Sequence, residues 1–193
     1  MNINFFQSIY DHPLIQRNDL NVIMNTHERI NFSKGSLLLK NGKMANEYYL
    51  IESGLLRAYV HDFSGNEITT DFYCANDIAI EVSSLFQRIP TKENIIALTN
   101  GIAWKIDFEK FQNLFHSIEG FREWGRAWMA RQLFISKQRK IEMLTKSATE
   151  RYKELIKDNP AIVQHVPIKH IASYLGITDT SLSRIRKEIL FDL

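Results

Sequence analysis

The feature that most constrains this chain is a run from about Ile118 to Lys146 that holds no proline and only Gly125 as an interior glycine away from its first turn. Apolar residues recur through it at three- and four-residue steps: Phe121, Trp124, Trp128, Ile135 and Met143, with Leu133, Phe134, Ile141 and Leu144 besides. A helix of about 28 residues would be about 42 Å long at about 1.5 Å per residue. A small domain has no use for such a rod, so the helix is expected to span two domains or two subunits. Its apolar residues fill more than one stripe. One is expected to pack on the region before it, and another, led by Phe121, Trp124, Trp128 and Ile135, to meet a partner helix. A single long core helix satisfies the same periodicity.

The rod divides two unlike textures. Between about residues 28 and 107, strand-sized apolar runs (RINF, SLLLK, YYLIE, LLRAYVHD, EITTDFY, NIIAL, IAWKID) alternate with turn signals. These signals are Lys34-Gly35, Asn41-Gly42, Ser53-Gly54, Ser64-Gly65-Asn66, Asn76-Asp77 and Asn100-Gly101, which predict an antiparallel sandwich or barrel. Ahead of it, Leu14, Ile15, Leu20, Ile23 and Met24 predict one short helix after Pro13, and Phe108, Phe111, Leu114 and Phe115 predict another behind it. The expected domains are 1–115, a long helix over 116–146, and a helical domain over 147–193.

Charge follows the same division. Residues 1–115 carry 10 Lys and Arg against 13 Asp and Glu, whereas residues 116–193 carry 14 against 9. A basic second half points to an anionic partner, although a solvated helical surface has the same signature. With 45% hydrophobic and 24% charged residues the chain reads as an ordinary globular protein. It holds neither a membrane-length apolar run nor a signal-peptide pattern, so a cytoplasmic location is expected. One cysteine, Cys74, cannot build a disulfide framework or an all-cysteine metal site. Haem ligation would have to use His61 or Cys74.

The segment Ile168 to Lys187 (IKHIASYLGITDTSLSRIRK) carries the densest information. Two short helices that cross steeply need a small residue at the crossing, and Ala172 supplies it. They need a turn residue tolerant of positive φ, and Gly176 supplies that. Ile171, Leu175, Ile177, Leu182 and Ile185 give both helices a shared core, and Thr178 is a good N-cap for the second. The pattern predicts a helix-turn-helix. With Leu182, Ile185 and Ile189 buried, the opposite face of the second helix centres on Thr180, Arg184 and Lys187, flanked by Ser181 and Ser183. Arginine on that face can read guanine bidentately, serine and threonine can meet phosphate or base edges, and Lys187 suits a phosphate. Lys169 and His170 lie where the first helix would cross the DNA backbone. Arg186 lies nearer the buried edge.

In this order of parts the chain resembles the Crp/Fnr superfamily, the relatives of the catabolite activator protein. The resemblance runs from about residue 15 to residue 190. It is carried by Lys34–Gly42, Tyr49–Gly54 with Arg57, Asp62–Glu67, Ile171–Gly176 and Ser183–Arg186. It implies an α+β chain: an N-terminal antiparallel β-roll (cupin-like, like a cyclic-nucleotide-binding domain), a long dimerisation helix, and a C-terminal helix-turn-helix of winged-helix type. A wing would have to be reduced or lie around Ile162–Pro167. It also implies a DNA-binding homodimer, a near-palindromic operator, and RNA polymerase as a further partner. Cyclic-nucleotide-binding members carry a glycine before a glutamate, with an arginine about ten residues on. Here Glu81 keeps the acid, Ile80 stands where glycine belongs, and the arginine position falls at Thr91 beside Lys92. These three residues are the candidate ligand pocket, and control by cyclic AMP is not expected. No catalytic residue, metal or cofactor is expected. The alternative is a cupin-like metal enzyme, which wants several histidines converging with a carboxylate. The histidines stand at 12, 27, 61, 116, 165 and 170, with only His61 well inside the β-region.

Overall fold

The computed structural model describes residues 2–191. Two helices open the chain, α1 (Ile3–Ile9) and α2 (Arg17–Thr26). Strands β1 (Glu28–Phe32), β2 (Leu37–Leu39), β3 (Glu47–Ser53), β4 (Leu56–His61), β5 (Glu67–Tyr73) and β6 (Ile78–Ala79) follow. Then come α3 (Val82–Gln87), β7 (Asn94–Ala97) and β8 (Gly101–Asp107). The remainder is helical: α4 (Phe108–Ser117), α5 (Glu119–Thr145), α6 (Ala148–Asp158), α7 (Pro160–His165), α8 (Ile168–Tyr174) and α9 (Asp179–Phe191).

The strands form two antiparallel four-stranded sheets, ordered β1-β8-β3-β6 and β2-β7-β4-β5. Alternation along β3 and β4 sends Tyr49, Ile51, Leu56 and Ala58 into the space between the sheets, where Phe32, Ile95, Ala97 and Ala103 join them. The expected turns all fall between strands. One is tight enough to demand its residues: a Cβ at Gly101 would stand 2.2 Å from the Ser53 carbonyl and 2.4 Å from the Phe32 ring. The outer face of the first sheet carries Tyr48, Leu50, Trp104 and Ile106, which pack with α1, α2, α4 and the start of α5. The architecture is the expected α+β arrangement of roll, long helix and C-terminal helices.

Two local expectations fail. The N-terminus holds two helices rather than one, because Asn2 accepts from the Phe5 N–H and starts α1 ahead of the break at Pro13. Phe5, Phe6 and Tyr10 are buried there. The proposed wing position is also wrong: Pro160 occupies the first turn of a helix, α7, where its missing N–H costs nothing. Among the described residues of 147–191 there is no strand. The expected boundary at 115 falls inside α4.

The helix α5 has 27 residues, about 40 Å at about 1.5 Å per residue. Its orientation corrects the expected partner stripe. Phe121 is fully buried and Trp124 nearly so, the first tilted against the Tyr10 ring and the second edge-on to it in the chain's own core. Trp128 is half-buried against the same cluster. Ile135 falls near them at about 100° per residue but is 45% exposed, beyond the reach of that core. Leu133, Phe134, Ile141 and Leu144 lie roughly opposite and are exposed, Leu144 at 86% and Leu133 at 73%. Of the four residues named from periodicity, Phe121, Trp124 and Trp128 pack within the chain and Ile135 is exposed; Leu133, Phe134, Ile141 and Leu144 form a second exposed stripe. No helix among the described residues is long and apolar enough to cross a membrane.

Candidate nucleic-acid interface

Local signals build the C-terminal helices. Ser147 caps α6 in a reciprocal box with Glu150, and Tyr152 and Leu155 turn inward from it. They meet Ile162, Val166, Ile171, Ala172, Leu175, Leu182 and Ile185 in one core, with Ile177 and Ile189 at its margin. Between α8 and α9 the chain reverses at Gly176, whose φ is +68°. A Cβ there would also stand 2.7 Å from the Met143 methyl of α5. Thr178 Oγ1 then accepts from the Ser181 N–H at 3.1 Å, the N-cap expected for α9.

With that core closed, Thr180, Arg184 and Lys187 stand in solvent on α9, and Ser183 is half-buried beside them. Ser181 is half-buried and its hydroxyl is bonded to Thr178 Oγ1 at 2.9 Å, so it serves the cap first. The Arg184 side chain is 77% exposed, with a single loose ion pair to Glu188 at 3.7 Å. A pair so exposed holds the guanidinium weakly, leaving its fork available. Lys169 is exposed at the start of α8. His170 is not on that surface: it is half-buried, and burial, then Arg57 and Lys169, push its pKa down to about 4. A neutral imidazole is a weaker phosphate partner than a charged one.

The mount of α8 is a feature that the sequence reading missed. β5 is the outer strand of its sheet, so its outward amides lack a strand partner. Ser173 Oγ accepts from the Thr69 N–H at 2.8 Å and donates to the Glu67 carbonyl at 3.3 Å. Arg139 of α5 donates to the Thr70 carbonyl at 2.6 Å and lies 3.8 Å over the Tyr174 ring, which packs on Phe72. Beneath them Arg57 is 2% exposed, paired with Glu67 at 2.6 Å and bonded to Thr69 Oγ1 at 2.9 Å. Arginine in the apolar run LLRAYV was the one available signal, since a buried cation needs a partner.

The three expected ligand residues do not converge. Glu81 caps α3, accepting from the Ser83 and Ser84 N–H groups at 3.3 and 2.7 Å. Thr91 is buried in backbone bonds with Gly42 and Lys43, and Lys92 is exposed. A cavity of about 220 Å³ does lie beside Glu81, lined by Leu39, Glu47, Tyr49, Ala79 and Ile95 among others, but by no lysine or arginine. An anionic ligand there would meet carboxylates without a cation. Elsewhere, His61 is exposed at the end of β4, and burial pushes the Cys74 thiol up to about 11. Among the described residues no three His, Cys, Asp or Glu side chains converge as a metal site requires.

Residues 29–117 match the cyclic nucleotide-binding domain family. In structure the chain is similar to FixK2 from Bradyrhizobium japonicum, with a TM-score of 0.73 at 15% identity over 86% of this chain and 85% of that one. A crp/fnr-family protein from Eubacterium rectale gives 0.71 at 18% identity, over 93% and 87%. The catabolite activator protein of Thermus thermophilus gives 0.60 at 15% identity, over 95% and 87%. No curated protein matches in sequence. At such identities the likeness is one of fold.

Proposed function

We propose, for a chain whose residues 29–117 match the cyclic nucleotide-binding domain family and whose fold is similar to those of Crp/Fnr proteins, that it is a homodimeric, sequence-specific DNA-binding transcription regulator. The observation that carries the reading is the solvent face of α9. Thr180, Arg184 and Lys187 stand free on a helix whose other side is fixed by Leu182 and Ile185 and whose start is capped by Thr178. A helix held this way can lie in the major groove with arginine aimed at base edges and lysine at the backbone. Lys169 reaches phosphate from α8. A two-fold pair of such helices reads a near-palindrome with half-sites about 34–36 Å apart, and RNA polymerase is the further partner of a regulator so placed. The dimer surface is the exposed stripe of Leu133, Phe134, Ile141 and Leu144. The chain performs no catalysis in this reading, and cyclic AMP is not its signal, because the roll cavity lacks a cation.

The test is selection of binding sites from random duplex DNA by the purified chain, followed by affinity measurement across salt. The expected result is an enriched inverted repeat and a log–log salt slope of several units, as phosphate contacts release counterions. Recovery of no enriched sequence, with weak salt-insensitive binding, overturns the proposal.

A further inference from the structure

Outside the roll, on the far side of its first sheet from the Glu81 cavity, lies a larger cavity of about 360 Å³. Its floor is sheet and α3, from Tyr48, Ile78, Ile80 and Phe86; its walls are α4 and α5, from Phe111, Phe115, Trp124 and Trp128. The polar ends of two of these rings are already engaged. Trp124 Nε1 donates to the Ile9 carbonyl at 2.8 Å. The Tyr48 hydroxyl lies 2.9 Å from that of Tyr10, which is 2.8 Å from His27 Nε2, while His27 Nδ1 lies 2.7 Å from the Ile23 carbonyl. A carbonyl can only accept, so Nδ1 carries the proton and Nε2 accepts from Tyr10, which in turn accepts from Tyr48. Tyr48 and Trp124 therefore offer the cavity their rings and not their donors. The charged group of the lining, Arg126, is at the rim, exposed and paired with Glu123 at 2.9 Å.

One residue shows that the space is not a packing necessity. Gly125 lines the cavity within α5, where glycine is the poorest helix former after proline. Gly120, a turn earlier, is required: a Cβ there would lie 2.4 Å from the Leu14 carbonyl. A Cβ at Gly125 would meet only the Phe115 ring, at an ordinary 3.6 Å. The helix forgoes a better residue at a point where a side chain would enter the cavity. The volume is more than twice that of the apolar cavity of about 150 Å³ known to admit benzene.

We propose that this cavity is a binding site for a small neutral molecule built of aromatic or hydrocarbon groups, about two to three rings in size. The uncharged aromatic walls exclude a nucleotide or an inorganic anion as occupant. As the effector site of the regulator proposed above it depends on that reading; as a binding site it does not. An occupant would touch the sheet, α4 and α5 together, so it would bear on the helix that joins the roll to the C-terminal core.

The test uses the full chain and the neutral fluorophore N-phenyl-1-naphthylamine. Two of the chain's three tryptophans line the cavity, so energy transfer from tryptophan to bound probe reports the site itself. The expected result is saturable binding of one probe per chain with strong transfer. Gly125→Leu, which places a side chain in the space, should weaken it at least tenfold with unchanged far-ultraviolet dichroism. Gln112→Trp narrows the rim from a half-buried position and should do the same if Gly125→Leu does not fold. Phe63→Ser, at a fully exposed apolar residue in the turn between β4 and β5, should leave binding within twofold. Probe binding that survives the folded filling variants overturns the proposal. So does binding that disappears with Phe63→Ser, which would make the signal adsorption to exposed apolar side chains rather than occupation of the cavity.

Discussion

Arg184 offers its guanidinium to solvent, loosely paired with Glu188 at 3.7 Å, so its removal should cost the fold little and the interface a great deal. Arg184→Ala is expected to make one base pair of each half-site degenerate in a repeated site selection, a loss of about 1–3 kcal/mol of discrimination. Lys187→Ala should instead weaken all sequences alike and lower the salt slope by roughly one. Unchanged base preference in the arginine variant would place the reading face elsewhere on α9. His27 makes a different prediction. Burial pushes its pKa from 6.5 to about 4 despite the bond to the Ile23 carbonyl. Between those values the unfolded chain takes up a proton that the folded chain refuses, so this contribution to stability is whole above pH 6.5 and declines as pH falls toward 4. The slope is about 1.4 kcal/mol per pH unit. Urea titrations of the native chain and of His27→Gln should diverge in stability–pH slope across that window and run parallel above it.

At the scale of elements, the mount of α8 is the contact to probe. Ser173 and Arg139 tie α8 to β5 through bonds to the Thr69 amide and the Thr70 carbonyl. Arg139→Ala or Ser173→Ala should cost about 1–2 kcal/mol, the usual loss when a partly buried hydrogen bond is cut. The Thr69 amide should exchange faster with deuterium while amides inside the roll keep their protection. The helix-turn-helix itself was legible because its requirements are local and tightly spaced: Ala172, Gly176, Thr178 and five apolar positions within twenty residues. The strands were legible for the same reason, except β6, which is two residues long. What could not be read was which side faces what. Periodicity groups Phe121, Trp124, Trp128 and Ile135 on one face of α5, but whether that face meets the roll or a partner depends on α1, itself unforeseen. Likewise Glu81 matched a pattern of spacing, while its real work as a cap of α3 depends on where the next N–H groups point.

At the scale of the molecule, the exposed stripe on α5 is too apolar to be a finished surface. Leu133→Glu with Leu144→Glu is expected to convert a dimer into a monomer of 22.6 kDa by light scattering. Operator affinity should fall at least a hundredfold, since each half-site would then be held alone, while the dichroism spectrum stays put. A variant that remains dimeric would move the interface off this face. The bond from Thr69 to Ser173 reaches further than the placement of α8. An outer strand with free amides is a template on which another chain can add, and proteins ordinarily cover it. Here the cover is the C-terminal core itself, so the two halves protect one another: a fragment ending at α5 would bare β5 and the apolar patch around Phe72. Such a fragment should gather into β-rich aggregates, because in the full chain the C-terminal core lies along the edge of the roll.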